Sequence, residues 1–141
     1  GKSFLAQALG NRAIFEGFTV YYIRTSNLLE EIKLSRIDGS YTNLVKRFAR
    51  YKLLILDDFG VSPISVDDAT NLFEIIETRN QLSSTIITSQ LPVKDWYGYL
   101  QNNTVADAIL DRVVHSSHRI EIEGDSLRPK YSNLNQKFEE N

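Results

Sequence analysis

Four consecutive apolar residues followed at once by two carboxylates constrain this chain more than any other feature. Residues 53–56 read Leu-Leu-Ile-Leu, and Asp57 and Asp58 come next. An uninterrupted apolar run of this length predicts a strand buried on both faces, as in a parallel sheet covered by helices. Open α/β sheets bind ligands at the carboxyl ends of their strands, so the two acids stand where we expect a ligand.

Helical and strand patterns alternate along the rest of the chain. Apolar residues at helical spacing predict helices at 2–15, from 26 to about 34, from 67 or 68 to about 82 and at 105–114, with an amphipathic segment around 44–48. Short β-branched, aromatic or apolar runs predict strands at 19–23, 53–56, 85–88 and 118–122. This alternation predicts the α/β class, with a parallel sheet flanked by helices.

The chain shows no internal repeat, and only its polar end has the composition of a tail. We therefore expect one domain over residues 1–128 and a polar C-terminal tail over residues 129–141. A chain of 141 residues can bury roughly 68% of its unfolded surface, so its core needs no disulfide or structural metal.

Composition excludes several classes of site. The chain has no Cys, which rules out cysteine nucleophiles, thiolate zinc sites and iron-sulfur clusters, and its 2 His are too few for most imidazole metal sites. No apolar run approaches the roughly 20 residues that cross a bilayer, so we expect a soluble protein without membrane contact. The cysteine count leaves the compartment open, and the cytoplasm fits it best. Because the net charge is −2, any DNA contact must be local or built by oligomerisation.

The first three residues, Gly1-Lys2-Ser3, form the last part of the P-loop pattern. In that pattern the lysine reaches the β- and γ-phosphates of a nucleotide, and the serine hydroxyl binds Mg²⁺. The N-terminus of the following helix adds free N–H groups and a favourable dipole. Three residues also match such a pattern by chance, and the glycines that open the loop are missing here.

The two acids supply the context for this short motif. Asp57 can hold Mg²⁺ through water, and Asp58 can orient and polarise the water that attacks a phosphate. Two Asp residues before Phe-Gly also suit a solvated turn, but a turn alone does not explain why they follow a buried strand. The stretch between Ser3 and Asp57 is long enough for a helix, a strand and a helix, so both motifs can meet at one Mg²⁺.

Three further polar residues are candidates for the same chemistry. Gln90 follows the predicted strand 85–88 and is placed to contact the γ-phosphate or the attacking water, although it also suits a plain strand end. Arg112, on the predicted helix 105–114, and Arg128 are surface arginines by position alone. A forked guanidinium that is always charged is nevertheless what a developing phosphate charge requires.

Five segments carry a resemblance to a known family: GKS, LLILDDFG, TIITSQLPVKDWY, ADAILDRVVHSSHRIEIEG and DSLRPK. Together they resemble the IstB-like ATPases, transposition helpers related to the DnaC and DnaI helicase loaders within the AAA+ class. The resemblance runs from Gly1 to about Lys130. It implies a P-loop NTPase core of the AAA+/ASCE type, with ATP and Mg²⁺ as cofactors.

The resemblance also implies roles for individual residues. Gly1, Lys2 and Ser3 match the end of Walker A, while Asp57 and Asp58 match Walker B. Gln90 falls at sensor 1, where many relatives have Asn. Arg112 matches an arginine finger supplied to a neighbouring subunit, and Arg128 resembles a sensor 2 arginine.

The chain departs from the family at its start. Family members have an upstream glycine-rich loop after a central strand, and a further N-terminal region before it, none of which appears in this sequence. We therefore expect an N-terminally truncated piece of the catalytic core, without the first strand and the start of the P-loop.

By resemblance, the expected function is an oligomeric ATPase that couples nucleotide state to DNA and transposase binding and so assists DNA transposition. The alternative is a loader that delivers a replicative helicase to DNA, and a third possibility is a nucleotide-gated interaction module with negligible turnover. Asp58 argues against the third, because a pure switch needs no water-activating acid.

Candidate DNA contacts divide into two groups. The basic residues cluster near one predicted helix and in the tail, and they also suit a solvated face: Lys46, Arg47, Arg50, Lys52, Lys130 and Lys137. The aromatic residues Trp96, Tyr97 and Tyr99 can stack on bases, or can pack a loop onto the core.

Overall fold

The computed structural model describes residues 1–101 and 103–123 of the chain. Its elements are α1 (Lys2–Phe15), β1 (Val20–Arg24), α2 (Thr25–Asp38), α3 (Tyr41–Arg50), β2 (Leu53–Phe59), α4 (Val66–Arg79), β3 (Ser84–Ser89), α5 (Trp96–Leu100) and α6 (Asn103–Val113). Within the described residues no helix has the length and apolar character needed to cross a membrane. The predicted tail 129–141 lies outside the described residues.

The three strands form one parallel sheet in the order β1-β2-β3. Val20 of β1 is aligned with Leu53 of β2, which is aligned with Ser84 of β3, so the carboxyl ends of all three strands meet at one edge. The register becomes irregular between Leu56 and Phe59, the stretch that holds the two acids. The predicted parallel α/β sheet is confirmed.

The central strand β2 explains how the core is divided. Its side chains alternate between two buried clusters, because successive residues of a strand point to opposite faces. Leu54 and Leu56 pack into the larger cluster with residues of α2 to α6, whereas Leu53 and Ile55 pack with Ala6 of α1. Because residues 53–56 are covered on both faces, apolar side chains are favoured at all four positions.

Helix α1 lies close against the sheet through small residues rather than through its large apolar ones. Ala6 and Gly10 are its buried positions, and a Cβ at Gly10 would lie 2.9 Å from the Cδ1 atom of Ile55. Phe4 and Phe15 are 78% and 80% exposed. The apolar spacing predicted the bounds of this helix correctly, but those two phenyl rings do not contribute to the described core.

The starts of α4, α2 and α6 differ from the prediction, and α6 begins at Asn103. Helix α4 begins at Val66, because the Ser65 hydroxyl accepts the N–H of Asp68 and the Asp68 carboxylate accepts the N–H of Ser65. This reciprocal pair is a capping box, so Asp68 is the third residue of the helix and not its start. Helix α2 begins at Thr25, before the predicted cap Ser26, and has no side-chain cap.

The predicted strand at 118–122 is wrong. These residues form no strand, and all of them are exposed. An alternating pattern yields a strand only where a neighbouring strand accepts its hydrogen bonds, and the described sheet pairs β1, β2 and β3 alone. The polar members of the pattern pair with each other instead, since Arg119 Nη2 lies 3.1 Å from Glu121 Oε1.

Helix α5, which the sequence patterns did not predict, carries the aromatic cluster. Trp96 is buried against Phe59 with 4.5 Å between ring centroids, and its Nε1–H donates to the carbonyl of Leu91 at 2.9 Å. Tyr99 packs edge-on against the same Phe59 ring. The packing interpretation is therefore confirmed for Trp96 and Tyr99, while Tyr97 is exposed.

Candidate functional site

Asp57, at the carboxyl end of β2, is the centre of the candidate site. Its carboxylate accepts hydrogen bonds from hydroxyls of three different elements. Ser3 Oγ, in the first turn of α1, lies 2.9 Å from both Oδ1 and Oδ2. Tyr22 of β1 donates to Oδ2, and Thr88 of β3 donates to Oδ1. The predicted meeting of Ser3 and Asp57 is therefore present in the fold.

The Asp57 carboxylate is charged although it is only 2% exposed. Burial by itself raises the pKa of a carboxyl, but the hydrogen bonds from Thr88, Tyr22 and Ser3 favour the charged form and hold the pKa of Asp57 below its usual value. Burial, together with the hydrogen bond to this carboxylate, raises the pKa of Tyr22. The site therefore presents one buried negative charge to anything that binds beside Ser3.

Asp58 follows in an unusual backbone conformation. Its φ is 57°, in the left-handed region that non-glycine residues seldom adopt and that often marks functional sites. Its N–H donates to Thr88 Oγ1 at 3.0 Å, and its half-buried carboxylate has Oδ2 3.9 Å from Arg24 Nε. The Asp58 carboxylate is thus accessible to water.

The start of α1 is the third part of the site. Gly1 caps the helix without any side-chain hydrogen bond, and the first turn holds no acidic residue. The first N–H groups of a helix have no intrahelical acceptor, so they are available to an anion. Lys2 adds a positive charge at the same position, and Ser3 connects it to Asp57.

The donor set suits a magnesium ion. Oxygen atoms from a carboxylate and a hydroxyl are ligands that Mg²⁺ prefers, and Mg²⁺ commonly uses only one or two carboxylates together with substrate phosphates. The described ranges 1–101 and 103–123 contain no group of three or more His, Cys, Asp or Glu able to hold a metal. The hydroxyl of Ser3 and the carboxylate of Asp57 are therefore of the donor type that suits a magnesium ion.

Among the described residues, Gln90 is not hydrogen-bonded to the Asp57 carboxylate as Ser3 is. Gln90 is exposed and comes directly after β3, beside Ser89, whose hydroxyl donates to the carbonyl of Phe59 at 2.6 Å. It lies at the correct edge of the sheet, and its sensor role stays a prediction. Arg128 lies outside the described residues.

Arg112 is held by its own chain. Its guanidinium pairs with the Glu77 carboxylate of α4, with Nη2 3.3 Å from Oε1, and lies 5.3 Å from the centroid of the Phe73 ring. The hydrogen bond to Glu77 raises the pKa of Arg112. The side chain keeps 27% exposure, so one side of the guanidinium faces solvent while the other is occupied.

Tyr22 and Thr88 are site residues that the sequence patterns did not single out. Tyr22 is the middle residue of β1 and Thr88 is the last but one of β3, and these two strands flank β2. That placement beside the strand carrying the acids was the available signal. A hydroxyl on such a strand also suits an ordinary satisfied side chain, so the sequence alone did not separate the two possibilities.

Comparisons with known proteins agree with this geometry. A family model described as IstB-like ATP binding protein matches residues 1–135. The insertion sequence ATP-binding protein y4pL of Sinorhizobium fredii is 48% identical over 128 residues, which cover 91% of this chain and 52% of that protein. The chain spans about half the length of the curated relatives it matches.

Solved structures confirm the P-loop AAA+ fold. The AMPPCP-bound DnaA from Aquifex aeolicus has a TM-score of 0.71 at 21% identity, covering 100% of this chain and 42% of that one. The DnaC helicase loader has a TM-score of 0.64 at 26% identity, covering 79% of this chain and 68% of that one.

Proposed function

Because the chain belongs to the family of IstB-like ATP-binding proteins, we propose that it binds ATP with Mg²⁺ and hydrolyses it. The observation that carries this proposal is the contact of Ser3, in the first turn of α1, with the buried carboxylate of Asp57. This contact supports the proposal because it joins the start of a helix, where phosphates can bind, to an acid that can hold a metal. The family description supports ATP as the nucleotide.

The phosphates would lie at the start of α1. There the unpaired N–H groups and the ammonium group of Lys2 offset the phosphate charge. Ser3 and Asp57 would hold the metal, Ser3 through its hydroxyl and Asp57 through water. A bound Mg²⁺ supplies positive charge to the transferring phosphoryl group.

Asp58 is the residue that we assign to the attacking water. A residue in this role needs access to solvent and a fixed backbone. The Asp58 carboxylate is only half-buried, and the Asp58 N–H is held by Thr88. Gln90, at the end of the neighbouring strand, is assigned to the γ-phosphate or to the same water. Phosphoryl transfer depends mainly on positioning and charge neutralisation, and these two side chains would position the reacting groups at the γ-phosphate.

The two arginines are assigned to different nucleotide sites of a homo-oligomer. Arg112 would act on the ATP of a neighbour, and Arg128 on the nucleotide of its own subunit. In the single chain Arg112 is paired with Glu77, so this assignment requires the guanidinium to leave that carboxylate on assembly. The proposed finger is therefore available only to an assembled form.

We further propose that nucleotide binding controls contact with DNA and with a transposase. The names of the relatives place them in insertion sequences, which supports transposition as the biological role. The basic residues Lys46, Arg47 and Arg50 of α3 are all exposed, and Arg47 also pairs with Glu31 at 2.6 Å. Oligomers would align several such helices and so compensate for the net charge of −2.

A helicase loader in DNA replication is the second candidate, because the DnaC helicase loader shares the fold at 26% identity over 79% of this chain. The gene next to the one encoding this protein separates the two candidates. An adjacent transposase gene supports transposition, whereas adjacent replication genes support helicase loading.

Two substitutions in the full-length protein test the ATPase. Lys2→Ala should weaken ATP binding and hydrolysis together, because it removes the charge at the phosphates. Asp58→Asn should bind ATP normally and lose most turnover, because the lost group acts on water. Nucleotide binding and phosphate release are measured for both, with Lys94→Ala, an exposed lysine on the 3₁₀ turn Val93–Asp95, as the matched control. Normal turnover in Asp58→Asn would refute the role of Asp58.

A further inference from the structure

The Asp57 carboxylate receives its three hydroxyl donors in an ordered arrangement. Thr88 donates to Oδ1 and Tyr22 donates to Oδ2, so each of these hydroxyls contacts one oxygen. Ser3 Oγ is equidistant from the two oxygens, at 2.9 Å from each. The donors from the flanking strands therefore define the orientation of the carboxylate, and Ser3 occupies the side between its two oxygens.

We propose that Tyr22 and Thr88 are positioning residues, which hold the Asp57 carboxylate so that the side facing Ser3 is presented to the divalent metal. This inference rests on the proposed function, and it assigns to these residues a role that the P-loop and Walker B motifs do not contain. With a metal and a nucleotide bound, Ser3 would offer its hydroxyl to the metal, while Tyr22 and Thr88 would keep their hydrogen bonds to the carboxylate.

The number of hydrogen bonds available to a carboxylate allows this arrangement. Each oxygen of an ionised Asp has two lone-pair directions. One direction on each oxygen is used by a flanking hydroxyl, and the other is left for a metal-bound water or for Ser3. Without Tyr22 and Thr88, the carboxylate is free to rotate about its χ2 angle, and its oxygens no longer hold one fixed direction towards the metal.

Thr88 performs a second task with the same oxygen atom. Its Oγ1 donates to Asp57 and accepts the N–H of Asp58 at 3.0 Å. One buried hydroxyl thus links the metal-binding acid to the water-activating acid. Thr88→Val removes both contacts with little change in volume, whereas Thr88→Ser retains the hydroxyl.

Tyr22→Phe is the sharper test, because the Tyr22 ring is partly exposed and only its hydroxyl reaches Asp57. In the full-length protein, Mn²⁺ binding in the presence of AMPPCP is measured by electron paramagnetic resonance. Tyr22→Phe and Thr88→Val should each weaken Mn²⁺ binding by about tenfold, the size typical of changes to groups that orient metal ligands. AMPPCP binding measured in EDTA should stay within about twofold, since the phosphate contacts are unchanged.

The controls are Thr88→Ser, which should restore Mn²⁺ affinity, and Tyr97→Phe, an exposed tyrosine on α5. Unchanged Mn²⁺ affinity in Tyr22→Phe, with or without a lower melting temperature, would overturn the proposal and leave the hydroxyls a purely structural role. Failure of the proposed function gives a different result, because the wild-type protein itself would then take up no Mn²⁺ with the nucleotide.

Discussion

Arg79 is the one fully buried cation in the described part of the chain, and replacing it should destabilise the fold severely. Its Nη1 donates to the carbonyls of Phe48 and Tyr51 at 2.6 Å each, and its Nη2 donates to the carbonyl of Ser84 at 2.6 Å. Its Nε donates to Thr85 Oγ1 at 3.1 Å. One side chain of α4 therefore joins the end of α3 to the start of β3.

The cost of Arg79→Met follows from the acceptors that it leaves behind. A buried acceptor without a partner costs about 1–3 kcal/mol, and water lowers that cost where it can enter. The hydrogen bond to Phe48 is buried, whereas those to Tyr51 and Ser84 are part-buried. Taking about 2 kcal/mol for the first carbonyl and about 1 for each of the others gives a loss of about 4 kcal/mol. That is a large share of a typical stability of about 5–15 kcal/mol.

Equilibrium urea unfolding of the full-length protein, followed by circular dichroism, measures the effect. With a slope of about 2 kcal/mol per molar urea, the midpoint of Arg79→Met should fall by about 2 M. Arg12→Met is the control, because Arg12 pairs with Glu16 on the exposed face of α1 and should lose no more than about 0.5 kcal/mol. A loss below about 1 kcal/mol in Arg79→Met would show that water satisfies the three carbonyls, and the reasoning would be refuted.

Three further predictions concern assembly, DNA and pH. Mixing full-length Arg112→Ala with Lys2→Ala should restore part of the ATPase activity, because some interfaces then join an intact site to an intact arginine. If the mixture co-assembles but its activity does not exceed the summed activities of the two separate variants, an arginine finger in trans is contradicted. ATP should raise the affinity for DNA, and the logarithm of that affinity should fall steeply with the logarithm of the salt concentration. The fall should be less steep in a Lys46→Ala, Arg50→Ala double variant. Equal slopes in the wild type and the double variant would exclude this face of α3 as a DNA contact. The folded-state pKa of Asp57 is lowered, so its charge stabilises the fold above about pH 4, and this contribution is lost as the pH falls through the lowered value. The urea midpoints at pH 7 and pH 3 should therefore differ less in Asp57→Asn than in the wild type. An equal difference in the two proteins would contradict a stabilising charge on Asp57.

Local patterns determined most of the secondary structure. The helix at 2–15 and the strands near 19–23, 53–56 and 85–88 were predictable, because periodicity and β-branched runs act over neighbouring residues. The meeting of Ser3 and Asp57 was predictable as well, since the helix start and the strand end belong to one edge of a parallel sheet. Chain order and alternation were sufficient for these features.

Side-chain partners distant in sequence were decided by the tertiary structure. The contacts of Tyr22 and Thr88 with Asp57, and the pairing of Arg112 with Glu77, depend on strand register and on the packing of α4 against α6. Neither the register nor the packing is encoded within one short segment.

The segment 118–122 shows that a local strand pattern is not sufficient to form a strand. Its alternating pattern is the local signal of a strand, yet the residues are exposed and do not belong to the described sheet of β1, β2 and β3. Backbone N–H and C=O groups of a strand need acceptors and donors on a second strand, and only the assembled fold determines whether one is present. By itself, the sequence determined where helices and strands can form and which end of the sheet carries the acids. The tertiary structure decided which of those segments found a partner and which hydroxyls surround Asp57.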